Sequence, residues 1–357
     1  MLRVLLGFLL AMRIVSLSWE AIAAEPATPP LPVDQLAKRL PLNDVPLGLP
    51  KKPPLPPDNR LSRDRAKLGR RLFFDPVLSV DCTVSCASCH DPRHGFAGPL
   101  PLAIGIGGAR GRRYPPSLLN RVYGTTFFWD GRATTLEEQA LQPISNPKEM
   151  GSNIDELLRR LGEDANYREA FAAAYEGGIT AGNLAKALAS FQRLLLSGNS
   201  PVDRFVAGDV SALTTRQRQG LWLFESRAGC WQCHSGKNYT DESFHNTGVS
   251  LHKQPVDRGR FEVTARETDL GRFKTPSLRS VALTAPYMHD GSLPTLRAVV
   301  EFYNRGGTKG PNLDPGIKPL NLSSEQIESI VSLLEALSGT LLGTNDSVND
   351  PERRASE

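Results

Sequence analysis

The pentapeptide Cys-x-x-Cys-His occurs twice in this chain, at Cys86–His90 within "CTVSCASCH" (82–90) and at Cys230–His234 in "CWQCH". Few patterns narrow the choice of folds so far. Two thiols at this spacing can add across the vinyl groups of a haem, and the histidine beside the second is the proximal ligand to its iron. Zinc ribbons also pair two Cys-x-x-Cys units, with about 15–20 residues between them. The stretch from Cys89 to Cys230 is far longer, and neither zinc nor a disulfide explains a histidine directly after each pair. The reading is two covalently bound haem c groups, one on Cys86, Cys89 and His90, the other on Cys230, Cys233 and His234. Cys82 precedes the first motif out of register and reads as a free thiol in an exposed loop.

Residues 1–24 have the form of a secretory signal: Arg3, the apolar run "VLLGFLLAM", and small residues in "AIAA" suited to cleavage near Ala23 or Ala24. Arg13 interrupts the apolar run before the roughly 20 residues a membrane span needs, and no later segment resembles a span. Export to the periplasm is expected, with no membrane span in the mature chain. The net charge is +4 over 357 residues. Part of it lies at the N-terminus, so the clustered basic face of a nucleic-acid-binding protein is missing.

Residues 25–60 form a proline-rich lead, extended rather than helical. From Leu61 the apolar spacing turns helical. Ile154, Leu157, Leu158 and Leu161 share a face, as do Leu184, Leu188, Phe191 and Leu195. A Ser323–Gln326 capping box precedes Ile327, Ile330, Val331, Leu334 and Leu337, in a helix ending by Gly339. Strand-like alternation is nearly absent. The expected fold is all-α, with haem c domains at 61–205 and 206–341 and a polar tail at 342–357. A weak repeat, helix and loop running into each Cys-x-x-Cys-His, supports that division.

Two further stretches, "FFWDGRATTLEEQALQPISNPKEM" (127–150) and "FKTPSLRSVALTAPYMHDGSLPTLRAVVEFYNRGG" (273–307), complete a pattern. Over roughly residues 45–340 the chain resembles the bacterial di-haem cytochrome c peroxidase family, and its MauG-like branch in particular. The resemblance implies haems facing across the domain interface. Hydrogen peroxide would react at the N-terminal haem, and the C-terminal haem would store or relay an oxidising equivalent. It also implies that Trp129 is a redox relay between the haems, and that Gln139 and Glu149 are the amide and carboxylate beside the peroxide. The residue types suit the chemistry, since a positioned carboxylate can move a proton from the iron-side oxygen to the leaving one. Taken without the resemblance, Glu149 reads as a surface acid, Gln139 as a polar helix residue and Trp129 as core.

Two departures within the family point to the MauG-like branch. Classical members hold a histidine on the distal side of the first iron. The matching residue in "AIGIGGARGRR" is Ile106, and an open iron is expected. His94 lies too near the proximal ligand to substitute, and reads as a loop or propionate-contacting residue. Classical members also place a methionine on the second iron, where this chain has Tyr303, on a helix with the stripe Leu296, Val299, Val300 and Tyr303. A buried phenol needs a partner: a core hydrogen bond on the bare sequence, the second iron through the resemblance. Such ligation favours ferric and higher states. Met288 stays open as a thioether alternative, while Met150 adjoins Glu149.

The family also binds calcium between the haems, through a side-chain amide and the backbone carbonyls matching Thr284 and Pro286. Tyr114 stands at the amide's position, and a phenol is a poor calcium ligand. Three functions follow in order of preference: a MauG-like oxidase acting on a partner protein, a classical peroxidase drawing electrons from a small cytochrome c or cupredoxin, and a non-catalytic electron carrier.

Overall fold

The computed structural model describes residues 45–249 and 256–341. The expected signal segment, the first part of the proline-rich lead and the polar tail lie outside the described residues. Among those residues, eight helices of nine residues or more form the frame. They are α1 Arg63–Phe74, α2 Leu136–Ser145, α3 Ile154–Glu163, α4 Ala165–Ala174, α5 Ala181–Arg193, α6 Thr215–Glu225, α7 Leu296–Asn304 and α8 Ser324–Ala336. Strands are limited to four two-residue pieces in two antiparallel pairs, in keeping with the missing alternation.

Side-chain caps set where the helices begin. Ser62, Thr135 and Thr295 each accept a hydrogen bond from the backbone N–H three residues on. Ser323 and Gln326 form the reciprocal box read from the sequence, and Thr214 with Gln217 repeats it on α6. The apolar faces are buried: Leu157 and Leu161 on α3, Leu184, Leu188 and Phe191 on α5, Ile327, Ile330 and Leu334 on α8. Leu195 is buried too, but past the end of α5.

Two helix crossings organise the interior, α1 against α5 and α6 against α8, each at a glycine. A Cβ on Gly69 would overlap the Ala187 carbonyl oxygen, and one on Gly220 would overlap that of Ser329. Backbone therefore meets backbone at both crossings. Beside the first, the rings of Phe73, Phe96 and Phe191 pack with centroids 5.1, 6.1 and 6.4 Å apart; such pairs contribute about 0.5–1.5 kcal/mol each beyond their buried area. The larger clusters of buried apolar residues follow the crossings. One runs from Ala66 to Leu195 and includes Leu341; the other runs from Val202 to Leu337.

The internal repeat extends well past the cysteine motifs. At one constant offset, Asn120 and Ser280 are both left-handed, as are Phe128 and Met288, and Gly131 and Gly291. The bridges Phe127–Ala133 and Tyr287–Leu293 correspond, as do the caps Thr135 and Thr295. The repeats are tied together at Ser197: the Asn120 side-chain amide donates to its carbonyl and accepts from its N–H, and its hydroxyl lies 2.7 Å from that of Ser280. A buried bidentate pair, Arg279 on Asp203 at 2.8 and 3.0 Å, fastens the 201–206 helix to the 273–307 stretch. The same guanidinium donates to Gly48 O of the proline-rich lead. Removing one partner of such a pair costs about 3–5 kcal/mol.

The crossings carry a direct expectation. Gly69→Ala and Gly220→Ala should each lower stability by about 1–3 kcal/mol, because the added methyl has no room. Gly182→Ala in the first turn of α5, where a Cβ meets only Thr180 Oγ1 at 4.0 Å, should leave it unchanged or slightly raised. Chemical denaturation of the three variants measures the contrast.

Candidate active site

Cys86–Cys89 make one helical turn, started by a Ser85–Ser88 capping box and ended by His90. Cys86, Cys89 and His90 together line a small cavity that Gln139 and Glu149 also reach. His90 Nδ1 lies 3.0 Å from Phe96 O. Donating Nδ1–H to that carbonyl leaves the lone pair on Nε2. Burial pulls the His90 pKa down to about 4, so the ring is neutral near pH 7. Burial likewise pushes the Cys86 thiol up to about 12 and Cys89 up to about 11.

The second motif is built alike. Gly229, in the left-handed region, leads into the Cys230–Gln232 turn. His234 Nδ1 lies 3.1 Å from Tyr239 O, and burial lowers its pKa. Burial raises the Cys230 thiol to about 12. In each half a neutral imidazole is oriented by a carbonyl, next to the two thiols of its Cys-x-x-Cys pair. That donor set fits a haem in each half.

A cavity of about 530 Å³ adjoins His90. Its wall includes Trp129, Gln139, Pro143 and Glu149, and across from them Lys274 to Ser277 with Arg279. The Thr135 cap sets the phase of α2, which puts Gln139 and Pro143 four residues apart on one face. Glu149 follows the helix, and its Oε1 accepts from Asn146 Nδ2 at 2.7 Å. Burial raises the Glu149 pKa, opposed by Arg132 and by the Asn146 hydrogen bond. A carboxyl group in this state can both give and take a proton. Trp129 is held from two directions: Nε1–H donates to Tyr114 O at 2.8 Å, and its carbonyl accepts from Lys274 N at 2.8 Å.

Ile106 begins a short 3-10 turn, donates its N–H to Glu149 O at 2.9 Å and packs its side chain on the first core cluster over Gly151. It is not part of the cavity wall. His94 faces Asp91, with Nδ1 at 3.5 Å from the carboxylate, and is not in the wall either. Met150 is buried in the first core cluster. Met288 holds the place in the second repeat that Phe128 holds in the first.

On α7, Leu296 and Val300 are buried while Val299 and Tyr303 are half-buried. Burial pushes the Tyr303 phenol up to about 12, with the Thr247 hydroxyl and the Cys230 and Cys233 thiols as its polar neighbours. At the repeat offset, Tyr303 corresponds to Pro143 on α2. Reading the sequence alone passes over Pro143, although aligning Thr135 with Thr295 brings it out.

His245 was also not singled out. Its ring is held between Asp314, at 2.7 Å from Nδ1, and Asp241, at 2.9 Å from Nε2. With the Cys233 thiol, these carboxylates raise its pKa to about 10. Cys233, Asp241 and His245 are the one group of three metal-ligating side chains gathered among the described residues. Cys233 belongs to the second haem motif, so the group is an edge of that site. Thr284 O, one of the two carbonyls named for calcium, lies 2.8 Å from the Tyr114 hydroxyl. Cys82 is exposed, with a left-handed backbone and Sγ 3.0 Å from Arg160 Nη1.

Residues 63–211 match the model of the di-haem cytochrome c peroxidase family. The methylamine utilization protein MauG of Methylorubrum extorquens is 41% identical over 290 residues, covering 81% of this chain and 82% of its own. The cytochrome c551 peroxidase of Pseudomonas aeruginosa is 35% identical, covering 78% and 80%. Among solved structures, a MauG-like protein associated with microbial copper homeostasis superposes with a TM-score of 0.78 at 33% identity, over 87% of this chain and 99% of that one. The chain belongs to the di-haem cytochrome c peroxidase family.

The thiol geometry sets an expectation for attachment. Intact-mass analysis of the holoprotein should give the chain plus two haems, and Cys82→Ser should keep both. Cys86→Ala with Cys89→Ala should leave one haem that acidic acetone cannot extract. A Cys82→Ser protein short of one haem would assign Cys82 to attachment instead.

Proposed function

We propose that this peroxidase is an exported, MauG-like oxidase, which takes hydrogen peroxide beside His90 and spends the oxidising equivalents on a partner protein. Two haem c groups would be held through Cys86–Cys89 and Cys230–Cys233 in domains 61–205 and 206–341, and would supply reductive cleavage of peroxide and storage of its oxidising equivalents. His90 and His234 would ligate their irons, each imidazole kept neutral by burial and aimed by its Nδ1–H bond.

Glu149 moves the proton between the two peroxide oxygens. Asn146 holds its carboxyl group, and burial raises its proton affinity above that of an exposed carboxylate. The Gln139 amide, four residues from Pro143 on the same helix face, can donate to the bound oxygens. Trp129, clamped between Tyr114 O and Lys274 N, stands on the wall joining the two halves as the relay. The observation that carries the reading is that His90, Gln139, Glu149 and Trp129 border one cavity.

Two positions favour the MauG-like form over a scavenging peroxidase. Ile106 turns into the core, and Pro143 has no donor to offer iron where the other repeat presents a phenol. Burial holds Tyr303 protonated, and a positive charge beside it such as the second iron would stabilise the phenolate and let the proton leave to solvent; anionic oxygen there would favour the higher oxidation states.

Stopped-flow absorbance of the fully ferric protein mixed with peroxide tests the proposal. A prompt change in the haem spectrum, without prior reduction and altered in Tyr303→Phe, is the expected result. No change until one haem is reduced would assign the chain to the classical peroxidases. Glu149→Gln should slow the peroxide reaction by about 10²- to 10⁴-fold. The raised pKa of Glu149 means the folded chain prefers the neutral acid, so ionising it costs stability as pH rises through that value. Glu149→Gln removes the cost, and its thermal midpoint at pH 7 should equal or exceed that of the parent.

A further inference from the structure

Tyr114 is 4% exposed and joins four partners across the junction of the repeats. Its hydroxyl lies 2.9 Å from Gly98 O and 2.8 Å from Thr284 O. Its N–H donates to His289 O at 2.8 Å, and its carbonyl accepts the Trp129 Nε1–H at 2.8 Å. Gly98 belongs to the first repeat's loops; Thr284 and His289 belong to the second. One residue thus closes the junction and holds the relay tryptophan.

Calcium at this place would need six to eight oxygens at about 2.3–2.6 Å, from side chains, backbone carbonyls or water. The contacts at this place offer something else. Thr284 O and Gly98 O share the single hydroxyl hydrogen of Tyr114, and the ring that carries the hydroxyl fills the space beside them. A phenol is a neutral donor near pH 7 and not an anionic ligand.

We propose that the Tyr114 hydroxyl does the work of a divalent cation at this junction, drawing Gly98 O and Thr284 O together, so that the protein positions Trp129 without calcium. Tyr114 is a positioning residue. Its role is the same whether the oxidising equivalents go to a partner protein or to peroxide scavenging.

The test uses the purified full-length holoprotein. Elemental analysis should find far less than one calcium per chain. The haem absorption spectrum and the thermal midpoint should be the same in EGTA as in millimolar calcium chloride. Tyr114→Phe, which keeps the ring and removes the one O–H shared between the two carbonyls, should lower the midpoint by about 2–4 °C, with no recovery on adding calcium. Tyr114→Asn, which opens space and supplies an amide oxygen, should gain a midpoint that rises with calcium. Stoichiometric calcium in the parent protein, removed by EGTA with a shift in the haem spectrum, would overturn the proposal. So would a Tyr114→Phe midpoint equal to the parent's, or a Tyr114→Asn protein indifferent to calcium. Should both variants fail to fold, the metal content and chelator response of the parent decide alone.

Discussion

The histidine of each Cys-x-x-Cys-His motif depends on one hydrogen bond to a backbone carbonyl a few residues downstream. His90 is anchored to Phe96 O and His234 to Tyr239 O. A ring free to turn, or one carrying two protons, would offer iron no lone pair. The acceptors are themselves held by the larger architecture. Phe96 packs against Phe73 and Phe191 at the Gly69 crossing. Tyr239 lies under the Arg279 guanidinium, 5.3 Å from its ring, which is locked on buried Asp203. Helix packing thus reaches the ligand atom through one aromatic residue in each half.

The two halves share a frame and differ at the positions that face inward. Where the first repeat has Trp129, the second has His289, stacked on Phe273 with 3.5 Å between ring centres. Gln139 corresponds to Val299, and Pro143 to Tyr303. An amide and a nearby acid make the first site a place for small polar oxygen species. An aliphatic residue and a buried phenol make the second a closed environment. The turns, caps and left-handed residues around them are nearly superimposable in kind, so the difference in chemistry rests on a few side chains.

Much of this was legible in the chain. The paired motifs declared the cofactor, since no common alternative needs a histidine after each cysteine pair. Apolar spacing located α3, α5 and α8, and Ser323 with Gln326 marked the start of α8, because caps and amphipathic faces are local. Glu149, Gln139 and Trp129 carry no local signal of function. They stood out through family resemblance, and their meeting on one wall is a product of tertiary packing. Pro143 was silent because a residue that cannot bind has no motif. Tyr114 was noted as a poor calcium ligand, but its bonds span Gly98 to Thr284, a contact that no window of sequence contains. The His245 clasp between Asp241 and Asp314 is hidden for the same reason.

The shared cavity wall bears on how such a protein can change over time. Its lining is drawn from both repeats, with Trp129 and Glu149 from one and Lys274 to Arg279 from the other. One repeat alone would expose that wall to water. With the two together, each surface is part of the other's interior, and a substitution there answers to a neighbour as well as to solvent. The chain therefore cannot be divided by cutting it between the repeats. Either piece would keep its haem-binding motif and lose the enclosed space in which the chemistry is arranged.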